Sequence, residues 1–355
     1  MIRGAMPLAP VPPSPRRRRS RLAAALFLSV GLGAQTYRGP ALREPVKLPM
    51  AQDLGSFPIE AFPPDIQRSL EAALANATEK TKAPAITAAV AAPGRGYWTA
   101  TRGLDSKPGE PPRFYWASVG KTFTSVLIFQ LIEEGRLSLA SPIDRWFPDY
   151  PNAKHITVEQ LLSHTSGIFS WQQDLKLRKT PGYKTPDQLI ATARKHPNDF
   201  APGEYWSYSN TGYTMLGLIV EKTDGRSYAD AIQARILNRL GLTQTAVVRP
   251  HAPEPACPKP HFQESEDMPG DTSMATPFAA GSIVATAQDM IRFWHGLLTD
   301  RLMSRPTLES LFTRLYPMFN QRITFYGMGV MVSDVPGPLP DTWLGHSGGT
   351  PGIKA

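Results

Sequence analysis

The chain has 355 residues and 41% of them are hydrophobic, enough to bury a sizeable core in one large domain or two modest ones and to exclude global disorder. Its net charge of +8 is unevenly placed: six arginines and no acid fall in residues 1–34, which leaves about +2 elsewhere and gives a nucleic-acid-binding face no support. A lone cysteine, Cys257, rules out an intramolecular disulfide and a thiolate metal cluster.

From the N-terminus, "RRRRSR" followed by "LAAALFLSVGLGA" has the form of a signal peptide over residues 1–34, with a cut before Ala34 or Gln35. Its apolar stretch is shorter than the ~20 residues of an ordinary membrane span. No cysteine sits near the cut to carry a lipid. The expected location is periplasmic or secreted, with no stable membrane span once the signal is removed. Residues 35–62 are Pro-rich and aperiodic and read as a linker or a loosely attached arm. The functional domain is expected over residues 63–355.

"PPDIQRSLEAALANATEK" predicts a helix with Pro64 in its first turn and Ile66, Leu70, Leu74 and Ala77 on one stripe. "AITAAVAA" and "GYWTATRG" around "PGR" predict a hairpin. "FYWASVGKTFTSVLIFQLIEEG" predicts a helix opening at Ser118 and ending near Gly135. Thr157 and Gln160 form a capping box that carries Leu161 and Leu162 into "SHTSG". "PGEYWSYSNTGYTMLGLIVEKTDG" reads as a loop, then a helix from about Ser209 to Lys222. "SYADAIQARILNRLG" is a capped helix with Gly241 past its end, and Thr286 opens another. "YGMGVMVSDVPG" and "DTWLGHSGGTPG" predict two strands split by a Pro/Gly turn. Strands at both ends with helices between them give an α+β pattern, in which a sheet from the two chain ends is flanked by a helical region.

Ser118 and Lys121 are three residues apart and share a helix face. A serine hydroxyl is a weak nucleophile until a base takes its proton. Lysine can be that base only if desolvation or neighbouring positive charge lowers its pKa. The apolar flanks Phe114, Trp116, Phe123 and Val126 favour desolvation, and a helix N-terminus favours negative charge developing on Ser118. "YSN" at Tyr208–Ser209–Asn210 offers a phenol that can relay a proton and an amide that can orient a carbonyl or the lysine. "HSGG" at His346–Gly349 places two glycines, Gly348 and Gly349, where a substrate could approach the backbone and amides could hold an oxyanion.

"SVGK", "YSN" and "HSG", in this order, resemble the three motifs of the penicillin-recognising serine hydrolases, the family of class C β-lactamases, DD-peptidases and related esterases. "LLSHTSGI" and "GHSGGTPG" are similar to wordings of that family, and the resemblance runs from about Lys82 to the end. It implies a β-lactamase/transpeptidase-like fold and an acyl-enzyme mechanism on a small-molecule or peptide substrate, with no cofactor and no metal. It implies Ser118 as the acylated nucleophile and Lys121 as its base or proton partner. Tyr208 would shuttle the proton, and Asn210 would bind Lys121 or the substrate amide. The amides of Ser118 and Gly349 would form the oxyanion hole. Whether Lys121 or Tyr208 is the base stays open. His346 stands where many β-lactamases have a lysine. A histidine is mostly neutral at pH 7, which favours an esterase or a D-Ala-D-Ala-type peptidase over an efficient β-lactamase. A slowly deacylating sensor or a non-catalytic scaffold would look alike in sequence. In the family, two further strands and a helix follow the third motif and lie between its strand and the N-terminal strand. The chain stops at Ala355, so those elements are expected to be missing, with strand edges open at residues 343–347 and 85–92.

A rival lies in "GHSGG", which fits a G-x-S-x-G elbow with Ser347 attacking. That elbow needs a helix straight after the serine, and "GGTPG" is hostile to one. His155, His164, His196 and His346 lack paired metal-ligand spacing on a helix. His164 reads as a loop-organising residue.

Overall fold

The computed structural model describes residues 37–48, 60–103, 111–252, 257, 273–336, 341–350 and 352–355. The expected signal peptide lies outside the described residues. Helix α1 (Pro64–Thr81) starts on proline, whose missing N–H costs nothing there, and ends on Lys82 in the left-handed region. Strands β1 (Ile86–Ala92) and β2 (Gly96–Arg102) form the expected hairpin, with Ala92 opposite Gly96. Phe62, Leu74 and Trp98 close a small core between α1 and this hairpin, and Ile66 and Leu70 of the expected stripe pack against it. The Trp98 indole N–H donates to Glu71 Oε1 at 3.1 Å.

Short β3 (Phe114–Tyr115) leads through a 3-10 turn, Ala117–Val119, into α2 (Gly120–Glu133). The main core surrounds α2, which is buried on every side: Phe123, Val126, Leu127, Ile128, Phe129 and Leu131 lie in it, and the polar Lys121, Thr122, Thr124, Ser125 and Gln130 are buried with them. Helices α3 (Val158–Leu162), α4 (Leu175–Arg178), α5 (Pro186–Ala193) and α6 (Asn210–Asp224) follow. The capping box at Thr157 forms as expected. Helices α7 (Tyr228–Ile232) and α8 (Asn238–Leu240) are joined by a π-helical stretch, Gln233–Leu237, and Gly241 ends the run in the left-handed region. Buried β5 (Ile283–Ala285) lies between β3 and β4 (Ala246–Val247). Helix α9 (Ala287–Leu298) stacks Phe293 on Phe123 of α2, and α10 (Arg305–Ser310) follows. An antiparallel meander then runs through β6 (Tyr316–Pro317), β7 (Thr324–Tyr326), β8 (Met331–Val335) and β9 (Asp341–Gly345). The hairpin of β10 (Gly349–Thr350) and β11 (Ile353–Lys354) ends the chain.

One sequence expectation needs correction. Residues 37–48 of the supposed loose arm lie against the body. Val46 and Leu48, two apart on an extended segment, both rest on the main core. Arg43 makes a bidentate pair with Asp334 through Nε and Nη2, each at 2.7 Å. Proline richness carries no periodicity, so it hides such docking. The two chain ends do not join in one hydrogen-bonded sheet, in line with the open edges expected at residues 85–92 and 343–347. Among the described residues β1 pairs only with β2, and β9 only with β8. A cavity of about 640 Å³, lined by residues 81–87, 114–116, 350 and 352–355, lies along the start of β1. A ladder needs a second backbone about 4.8 Å away, and none of the described residues supplies it there.

Helix α6 crosses the Phe278–Ala280 turn at Gly217, where a Cβ would run into the Ala279 side chain and the Phe278 ring. Gly217→Ala gains about 1 kcal/mol of helix propensity but overpacks at a cost of about 1–3 kcal/mol. The expected outcome is a lower urea midpoint than wild type; an unchanged or raised midpoint would show that the contact yields freely.

Candidate active site

Ser118 sits in the 3-10 turn two residues before α2 begins, not in the α-helix itself. A 3-10 turn eclipses residues three apart, so Lys121 still falls over Ser118. The Lys121 Nζ lies 3.2 Å from Ser118 Oγ and donates to the Ala280 carbonyl at 2.7 Å. Lys121 is 0% exposed, and burial holds its amine well below the usual lysine range. The turn is fixed from three sides. Trp116 donates its backbone N–H to Ile283 O at 2.9 Å and its indole N–H to Ala285 O at 3.0 Å. Thr124 Oγ1 donates to Ala279 O at 2.6 Å. Gly281 lets that segment press on the Ala117 backbone, and Ala117 itself is held at φ +44°.

Tyr208 approaches from the loop before α6, and the neighbouring Ser118 hydroxyl opposes the upward push of burial on its pKa. Burial wins, so the phenol stays protonated far above neutral pH. Its ring centroid is 4.8 Å from Lys121 Nζ. Ser209 caps α6 by accepting from the Gly212 N–H. Asn210 opens that helix and is nearly buried. Its Nδ2 donates to Gln172 Oε1, and its Oδ1 is buried with no partner among the described residues. Of the two roles expected for Asn210, holding Lys121 or the substrate amide, the first is not seen, because the described partners of that amine are Ser118 and the Ala280 carbonyl.

His346 follows β9 directly. Its Nδ1–H donates to Ser347 O at 2.6 Å, and its Nε2 faces the Tyr326 hydroxyl at 3.0 Å. The residue is part-exposed at the surface, but desolvation around its ring, and then the Lys121 amine whenever that is charged, lower its pKa to about 3, so it is neutral at pH 7. Gly348 presses against the Trp116 carbonyl and the Ser118 backbone N, a place no Cβ could occupy. It exchanges both backbone hydrogen bonds with Ala355. The next pair, Gly349 with Lys354, is therefore a non-bonded one, and the Gly349 N–H points away from β11. Ser347 is exposed against Met331 and leads into β10, not a helix, so the elbow reading is overturned. A cavity of about 410 Å³ opens beside Gly349 and Thr350. Trp171, Gln172, Leu177, Thr276 and Pro277 line it, as do Arg178 and Lys184, with no acid among the described lining residues.

The residues that motif reading missed are Tyr326, Tyr213, Gln172 and the Ala280 carbonyl. Tyr326 and Tyr213 meet at 3.4 Å between their hydroxyls, and Tyr213 donates to Leu162 O at 2.8 Å. No local sequence signal marks them, since each reaches the site only through packing.

Residues 70–354 match the Beta-lactamase family, and the chain belongs to it. It is 29% identical over 222 residues to the putative penicillin-binding protein PbpX of Bacillus subtilis, covering 62% of this chain and 54% of that protein. The chain spans about half the length of the curated relatives it matches. Among solved structures it is similar to a D-stereospecific amidohydrolase from Streptomyces sp., at 33% identity and a TM-score of 0.68 over 81% of this chain and 87% of that one. It is also similar to the D-amino acid amidase of Ochrobactrum anthropi SV3, at 25% identity and a TM-score of 0.70 over 81% and 86% of the two chains. The fold is β-lactamase/transpeptidase-like. No helix among the described residues is long and apolar enough to cross a membrane.

Lys121 also has a signed effect on stability. Its folded pKa lies below the unfolded value of ~10.4, so between the two the unfolded chain holds the extra proton and stability rises with pH. Lys121→Met removes that cost. It should raise Tm at pH 7 while abolishing turnover, and the gain should shrink as pH approaches ~10.4. A Tm below wild type at pH 7 would show that the lost bond to Ala280 outweighs desolvation.

Proposed function

We propose that the chain is an acyl-enzyme serine hydrolase that cleaves amides or esters of small D-amino-acid-like substrates, with esterase or peptidase activity above β-lactamase activity. The observation that carries this is the fully buried Lys121 amine 3.2 Å from Ser118 Oγ. Ser118 Oγ attacks the substrate carbonyl and passes its proton to the neutral Lys121 amine. The oxyanion is held by the Ser118 and Gly349 N–H groups. Tyr208, kept protonated by burial, delivers a proton to the leaving nitrogen or oxygen and is refilled from Lys121. Water then attacks the acyl-enzyme, its proton returning through the same pair. These opposite pKa shifts favour Lys121 over Tyr208 as the base.

The substrate class is supported by the two solved relatives, a D-stereospecific amidohydrolase and a D-amino acid amidase. The preference over β-lactams rests on His346, which is neutral and supplies no fixed charge to a β-lactam carboxylate. Asn210 Oδ1, which has no partner among the described residues, would accept the N–H of a substrate amide. Export to the periplasm or medium belongs to the same proposal and rests on residues 1–34 alone.

A fluorophosphonate probe should label wild type at Ser118, and Ser118→Ala should abolish labelling and lower kcat by several orders of magnitude. Purified protein should turn over D-amino-acid amides or nitrophenyl esters faster than a chromogenic cephalosporin; the reverse order would refute the preference. Labelling without turnover would make the protein an acylated sensor. In a pH series, kcat/KM should fall only on the acid side as Lys121 gains its proton, with an apparent pKa well below the ~10.4 of a free lysine. A profile still rising near pH ~10 would remove Lys121 as the base.

A further inference from the structure

Three backbone rungs tie the segment 164–167 to the segment 199–207. Asp199 N–H donates to Gly167 O at 2.7 Å, Gly203 N–H to Thr165 O at 2.7 Å, and Ser207 N–H to His164 O at 3.0 Å. His164 then makes a further bond with its side chain: Ser209 N–H donates to its Nδ1 at 3.1 Å. The two residues it holds, Ser207 and Ser209, are those on either side of Tyr208. Its ring also lies against Tyr208, with centroids 4.3 Å apart. His164 reaches both neighbours because its backbone is left-handed, at φ +61°, which turns carbonyl and ring toward one stretch of chain. It is 0% exposed.

From this geometry we infer that His164 is a positioning residue for the reaction, fixing the Tyr208 phenol on Ser118 by clamping the backbone on both sides of it. The inference rests on the hydrolase reading above. Because Nδ1 accepts a hydrogen bond, the ring proton is on Nε2. That N–H is buried against Tyr326 and Tyr213 and has no partner among the described residues. A side chain that served packing alone would not carry an unsatisfied donor there. Burial disfavours a second ring proton, which keeps Nδ1 free to accept. The sequence motif "SHTSG" gives the loop but not the clamp, since residues 164 and 209 are distant in the chain.

The test compares two replacements. In His164→Asn the Oδ1 occupies the place of Nδ1, and asparagine tolerates the left-handed backbone. In His164→Gln the polar end sits at the place of Nε2, and Ser209 N–H loses its acceptor. On a nitrophenyl ester, His164→Gln should lower kcat about 10–100-fold with KM within about 3-fold, because Tyr208 acts in the transition state. His164→Asn should stay within about 5-fold of wild type. In a Tyr208→Phe background His164→Gln should cost less than about 2-fold more, since the group it positions is gone. Equal kcat in both single variants, a change in KM alone, or full additivity with Tyr208→Phe would overturn the inference. If His164→Gln does not fold, nitrogen-15 NMR of wild-type histidines decides: His164 must be the neutral Nε2–H tautomer at about pH 6–8, and an Nδ1–H tautomer overturns the clamp. A wild type that neither hydrolyses esters nor labels at Ser118 fails the parent reading instead, and the clamp with it. Turnover that is normal in wild type and unchanged in His164→Gln fails the clamp alone.

Discussion

An amine with no exposed surface governs this molecule. Water would solvate Lys121 as a cation; the core around α2 does not, and so the amine is held near neutrality between a serine hydroxyl and one backbone carbonyl. That carbonyl, from Ala280, has to be brought from across the core. The Phe278–Ala280 turn is pinned to α2 by Thr124, and glycines at 217 and 281 remove the side chains that would hold it away. The strained φ at Ala117 belongs to the same arrangement, because it sets Ser118 at the mouth of the helix while Lys121 goes inside.

The groups around the lysine are kept neutral as well. Burial raises the Tyr208, Tyr213 and Tyr326 phenols and lowers His164 and His346. A pocket of uncharged donors and acceptors lets charge appear only when the serine attacks, where a few oriented dipoles then act in a low dielectric. Full ion pairs are built elsewhere: Arg235 joins Glu134 and Asp224 beyond the far end of α2. There they can be partly hydrated and leave the proton transfers alone.

The periphery is organised by different physics. The β1–β2 hairpin has its own small core with α1, while the β6–β9 meander leans on the main core through Phe325, Val330 and Val332. Arg43 ties the N-terminal segment to β8 through Asp334. His346 leaves β9 where that strand ends, and Gly348 can then sit on the Trp116 carbonyl. The third motif thus reaches the nucleophile by backbone contact, which is why glycine is needed there.

Sequence alone determined the elements whose signals are local. The Pro64 helix start, the Thr157 box, the hairpin turn at residues 93–95 and the pairing of Ser118 with Lys121 need only neighbours along the chain. The order of the three motifs likewise gave the family. Tertiary structure alone decided what the site residues touch. That Asn210 meets Gln172 and not Lys121, that Ala280 supplies the carbonyl, that His164 grips both sides of Tyr208, and that residues 37–48 lie on the core are all contacts between distant segments. Periodicity and capping report on a residue's own turn or strand. Desolvation, which sets the protonation of Lys121, Tyr208 and His346, depends on every segment that closes over them, and no local pattern encodes that.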